Sequence, residues 1–68
     1  MTIEEAVVYA IVSSRHGLKA EQIAQVINDR RLHVRKDGQP VSVKQVWFVV
    51  KSHPETFCFA EGRVMLLI

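Results

Sequence analysis

Apolar residues recur along this chain at two spacings, first helical and then alternating. Ile3, Val7, Ala10 and Ile11, with Ser14, fall on one side of a helix, and Ala6 stands beside them. Thr2 and Glu5 lie three apart at its start. A hydroxyl and a carboxylate at that spacing can each satisfy a backbone donor that a helix start leaves free. This capping box predicts a first helix from about Ile3 to Arg15. Glu4 and Glu5 in its first turn and Arg15 in its last suit the helix dipole. Gly17 is expected to end it, and Leu18 to resume the core.

A second helix is expected from Lys19 or Ala20 to about Arg31, with Ile23, Ala24 and Ile27 as its buried stripe and Val26 or Leu32 as flanks. Leu32 to Gln39 mix charge with Gly38, and Pro40 bars helix continuation, so this stretch reads as a loop. Ser42 and Gln45 form another capping box and announce a third helix, Val43 to about Ser52, which stops before Pro54. At 100° per residue Val43, Val46, Trp47 and Val50 face inward. Lys44, Phe48 and Lys51 face outward, with Gln45 and Ser52 further round.

The tail alternates. Phe57 and Phe59 share one strand face and Cys58 takes the other. Glu61-Gly62 is a hairpin turn signal, Val64 to Ile68 a return strand, and Leu18 a candidate for a short third strand. Three helices followed by a hairpin make an α+β domain over residues 1–68, in the order of a winged helix-turn-helix. Val7, Ile11, Ile23, Ile27, Val43, Val46, Val50 and Phe57 are expected to share one core.

At 68 residues there is room for one small domain, and a single cysteine closes no intramolecular disulfide. No Cys/His cluster stands at metal-ligand spacing, and no cofactor or small-molecule substrate is suggested. Met1 to Glu5 carry acids rather than a basic run, and no apolar stretch approaches the ~20 residues of a membrane span. A cytoplasmic protein with no membrane partner is the expectation. The chain could be free-standing or a domain excised from a longer one.

Net charge is only +2, but six of the nine Lys and Arg lie between residues 30 and 51, with Asp37 the single acid there. Catalysis finds little to build on. His16, His33 and His53 lie apart, with no carboxylate at a spacing that would fix a tautomer, and Cys58 has no nearby His. Glu4 and Glu5 diverge on their helix, and no Gly-rich phosphate loop is present. An enzyme is not expected.

Nearly the whole chain resembles the HARE helix-turn-helix module, a winged helix of chromatin-associated proteins, restriction endonucleases and the bacterial RNA polymerase delta subunit. The matching residues are Glu5-Ala6, Gly17-Leu18, Glu21-Gln22-Ile23, Pro40 with Ser42-Val43, and Phe57, Phe59, Gly62, Val64 and Leu66. Trp47, Phe48, Val49 and Val50 depart from the small or polar residues usual in the family's third helix. The resemblance implies a DNA-associated accessory with a regulatory or targeting role in transcription or chromosome maintenance.

In helix-turn-helix proteins the second helix of the motif enters the major groove by its N-terminal residues. Lys44 and Gln45 stand there, residue types that address guanine and adenine edges, with Phe48 available to stack and Lys51 to face phosphate. Arg30, Arg31, Arg35 and Lys36, with His33 among them, would hold the backbone of duplex DNA, and Arg63 adds a minor wing contact. The bland reading is a charged, solubilising surface. The alternative function is a protein-interaction winged helix, in which Phe48, or Val8 and Val12 one turn apart on the outside of the first helix, dock on a polymerase, a larger enzyme or a second copy.

Overall fold

Both expected capping boxes close in the computed structural model, which describes residues 1–67. The Glu5 N–H donates to Thr2 Oγ1 at 3.2 Å while the Thr2 N–H donates to Glu5 Oε1 at 2.8 Å. Ser42 and Gln45 repeat the exchange at 3.2 and 3.1 Å. A third helix start carries half of the motif: the Lys19 N–H donates to Gln22 Oε1 at 3.0 Å. The helices are α1 (Ile3–Ser14), α2 (Ala20–Asp29) and α3 (Val43–Ser52). They precede an antiparallel hairpin of β1 (Phe57–Ala60) and β2 (Arg63–Leu66). This is the α+β layout of a winged helix-turn-helix.

Ala60 pairs with Arg63, so Glu61 and Gly62 form a two-residue turn. Both carry positive φ, 55° and 78°, as the type I′ turn that matches strand twist requires. The return strand is Arg63–Leu66 rather than Val64 to Ile68, and Ile68 lies outside the described residues. Leu18 does join the hairpin: it forms an isolated antiparallel bridge with Val64, its N–H donating at 3.1 Å and its carbonyl accepting at 2.7 Å.

Of the eight expected core residues, seven are buried, and they share one cluster with Ala6, Ala10, Ala20, Ala24, Val41, Val49 and Val64. The exception is Val43, which is half-buried. α3 is rotated from the expected phase toward Val49, because Val46, Val49 and Val50 together face α1 and α2, leaving Val43 and Trp47 on the core's edge. Phe59 shares the Phe57 face yet is 56% exposed, since β1 runs past the core. Its ring meets the edge of Trp47 at 5.1 Å instead.

Two helix ends differ from expectation. α1 stops at Ser14, and Arg15 itself adopts the left-handed conformation (φ 69°). Gly17 has a different task. A Cβ there would stand 2.8 Å from Met65 Cγ and 2.9 Å from the Val64 carbonyl oxygen, so glycine permits the Leu18–Val64 bridge. α2 ends at Asp29 rather than Arg31, whose φ of 52° turns the chain out of the helix.

The connection between α2 and α3 runs from residue 30 to residue 42, far longer than the 3–4-residue turn usual in the motif. Asn28 closes it. Its side-chain amide donates to the Val41 carbonyl at 3.0 Å and its Oδ1 accepts from the Val41 N–H at 2.8 Å, so it pairs with Val41 as a peptide group would. Val41 is thereby held in the core just ahead of the α3 cap.

Two substitutions probe these constraints. Gly17→Ala should destabilise the fold by about 1–3 kcal/mol in chemical denaturation, because overpacking adds to the cost of positive φ. Gly62→Ala, at the same φ with open space around it, should cost only about 1 kcal/mol. Asn28→Asp replaces the donor to the Val41 carbonyl by a second acceptor. It should cost about 1–3 kcal/mol and raise amide exchange at residues 41 and 42 before the helical core.

Candidate nucleic-acid interface on the third helix

The outward face of α3 holds several of the candidate residues, and its geometry sorts them. Lys44, Phe48 and Lys51 are exposed, Phe48 to 73%, more than any other large hydrophobic residue among the described ones. The chain supplies this face because α3 is capped at Ser42 and anchored by three valines on its opposite side. Lys44, Lys51, Arg31, Lys36 and Arg63 are exposed and form no ion pair among the described residues, so their charges remain available to an anionic partner.

Gln45 and Arg35 are engaged internally. Arg35 donates through Nη1 to Gln45 Oε1 at 3.1 Å and through Nη2 to Asp37 Oδ2 at 2.6 Å. The Gln45 oxygen therefore serves both the Ser42 N–H and Arg35, and it is not free for the two-point contact by which glutamine reads adenine. Bonding from the Gln39 N–H, helped by Arg35, holds the Asp37 carboxyl below its usual range. Arg35 thus fixes the loop to the start of α3 with its own charge countered. Arg30 points elsewhere: its guanidinium lies 6.0 Å from the Tyr9 ring centre and donates to the Tyr9 hydroxyl at 3.4 Å, on α1. His33 binds the Met1 carbonyl at 2.9 Å through Nδ1. The basic run of residues 30 to 36 is therefore divided between α1, the α3 cap and solvent.

Sequence spacing missed one cluster. His53 Nδ1 lies 3.4 Å from Glu4 and 3.3 Å from Glu55, so a histidine expected to lack a carboxylate has two. Glu55 was two residues away in sequence, but Glu4 arrives only because α1 packs beside the end of α3. A bond from its own backbone N–H, with His53 contributing, holds the Glu55 carboxyl below its usual range. Between these elements runs an apolar groove of ≈680 Å³ lined by Ile3, Glu4, Lys44, Gln45, Phe48, Val49, Ser52 and His53. A second groove of ≈580 Å³ separates α3 from the hairpin, along Trp47, Val50, Lys51, Pro54, Phe57, Cys58 and Phe59.

On α1, Val8 is half-buried against the core and Val12 is 58% exposed. With Met1 and Tyr9 they line a smaller apolar patch. Arg63 stands at the start of β2 beside Gly17. Among the described residues no three His, Cys, Asp or Glu side chains gather as they would around a metal ion. No helix there is long and apolar enough to cross a membrane. Compared with protein-family models, curated proteins and solved structures, the chain finds no significant match in any of the three.

Proposed function

We propose that this chain is a DNA-binding winged-helix module of the HARE type, with a regulatory or targeting role in transcription or chromosome maintenance. The observation that carries the reading is the outward face of α3, where two lysines that form no ion pair among the described residues flank a largely exposed aromatic ring. In this reading α3 enters the major groove of duplex DNA. Lys44 reaches base edges, Phe48 packs against bases or sugars, and Lys51 meets phosphate. Arg31 and Lys36 hold the flanking backbone, and Arg63 lends charge from the wing. Arg35 and Gln45 act one step back, by setting the loop and the helix start. The HARE resemblance supports the role, and no catalytic activity is proposed.

A second reading is favoured by the same ring. Phe48 walls an apolar groove, so the domain would serve protein interaction through Phe48, or through the Val8 and Val12 patch. Phe48→Ala separates the two. Because the ring is solvent-exposed, the change should leave the stability of the chain nearly unaltered. It should lower DNA affinity under the first reading and abolish partner binding alone under the second.

Fluorescence anisotropy with random duplex DNA under rising salt tests the main proposal. The logarithm of the binding constant should fall linearly with that of the salt concentration. Arg31→Ala and Lys36→Ala should weaken binding alike on unrelated duplexes and each reduce the salt slope by about 1. Lys44→Ala should instead change discrimination among duplexes. Wild-type binding by all three variants, or none at low salt by the native chain, would overturn the DNA reading.

A further inference from the structure

The outer edge of β1 is an unfilled place in the sheet, and we infer that it takes an extended, acid-bearing segment of a partner protein as an added strand. The order across the sheet is Leu18, β2, β1, and among the described residues no strand lies beyond β1. The bridge settles which way the backbone of β1 points. Val64 gives both its N–H and its carbonyl to Leu18, so neither faces Phe59, its partner across the ladder. Opposite residues in an antiparallel pair alternate between bonded and non-bonded pairs, so Phe59–Val64 and Phe57–Leu66 are non-bonded ones. The Leu67 N–H, donating to the Thr56 carbonyl at 2.9 Å, keeps the same alternation. The backbone groups of Phe57 and Phe59 therefore point away from β2. The Phe57 N–H bonds back to the His53 carbonyl at 3.1 Å. The Phe57 carbonyl and both groups of Phe59 have no hydrogen-bond partner among the described residues. An edge of this kind is a template for another strand.

A groove lies along that edge. Trp47, Val50 and Lys51 line it from α3, and Phe57, Cys58 and Phe59 from β1. Phe57 and Phe59 share one strand face and Cys58 has the other, so a groove touching all of them follows the edge that β2 does not cover. An incoming residue opposite Phe59 would exchange both backbone hydrogen bonds with it. Its side chain would stand on the same face, against the exposed Phe59 ring and its neighbour Trp47. Positions two residues away face the groove again, so apolar residues fit at alternate places in the segment. Lys51 is exposed and forms no ion pair among the described residues, and its charge at the rim selects a segment that carries a carboxylate. Like charge opposes a second copy of this chain. Two β1 strands joined antiparallel would keep both α3 helices on one face of the widened sheet and bring two Lys51 side chains to one seam. The site shares only Lys51 with the face proposed for DNA, and the inference stands without DNA.

Random octapeptides displayed on phage and panned against the chain supply the probe, and synthetic copies of those selected are titrated into isotope-labelled chain. They should alternate apolar residues with others and carry an acid. Binding should shift the amides of residues 57 to 60 and slow hydrogen exchange at Phe59. A chain made by chemical synthesis with a methyl group on the Phe59 backbone nitrogen loses the outward donor and keeps every side chain. It should melt as the native chain does, and bind the peptide about tenfold or more weakly. Methylating the peptide instead, on the nitrogens of its groove-facing residues, should abolish binding, whereas methylating the alternate nitrogens should not. Lys51→Glu should weaken acidic peptides severalfold and spare their amide counterparts. Full binding with the donors methylated on either side would overturn the inference, as would shifts confined to the outer face of α3. A library that yields no binding peptide would also overturn it, and so would selected peptides indifferent to Lys51→Glu, since the stated partner is acidic. A native chain that self-associates in sedimentation velocity, and ceases to when Phe59 is methylated, would overturn it by giving the edge to a second copy.

Discussion

The pair of backbone hydrogen bonds between Leu18 and Val64 holds the two halves of this domain together. A two-stranded hairpin is marginal on its own in water, and here its pairing spans only four residues on each side. The bridge adds a third, minimal strand drawn from the link between α1 and α2. It brings Val64 fully into the helical core and sets β2 against α1. Gly17 is the condition for that approach, because any side chain there would collide with Met65 and with the Val64 carbonyl. With β2 fixed, β1 meets α3, and the Trp47–Phe59 contact closes the exposed side of that junction. The seat of α3 against the wing therefore depends on Leu18, which precedes the helix by 25 residues, and on Val64, which follows it.

The presentation of α3 depends on a second set of polar contacts. Asn28 pulls Val41 into the core, Ser42 then caps the helix, and Gln45 returns its oxygen to the cap and to Arg35. The long connection is anchored at both ends by groups that would otherwise need water. Arg35 illustrates why residue type alone is a poor guide to charge on a surface. With Asp37 at 2.6 Å its charge is countered, whereas the adjacent Lys36 has no such partner among the described residues. Arg30 rests on Tyr9, a contact with both cation–π and hydrogen-bonding character. Among the described residues, the exposed cations without an ion pair include Lys44 and Lys51, which flank one exposed ring on α3.

The local signals were legible in the chain because they are short-range. Two capping boxes, the Glu61-Gly62 turn and the α3 limits of Val43 to Ser52 depend on residues within three or four positions of one another, and each formed as read. The valine stripe opposite Phe48 likewise follows from helical periodicity, and so does the exposure of that ring. Tertiary structure decided everything that needed partners distant in sequence. It rotated α3 toward Val49, gave Gly17 a packing role, brought Arg30 to α1 and Arg35 to Gln45, and delivered Glu4 to His53. No periodicity or motif encodes those contacts, because they arise where separate elements meet. The sequence alone thus determined the elements and which residues each could show to solvent; only packing determined which charges stayed free and which surface they share.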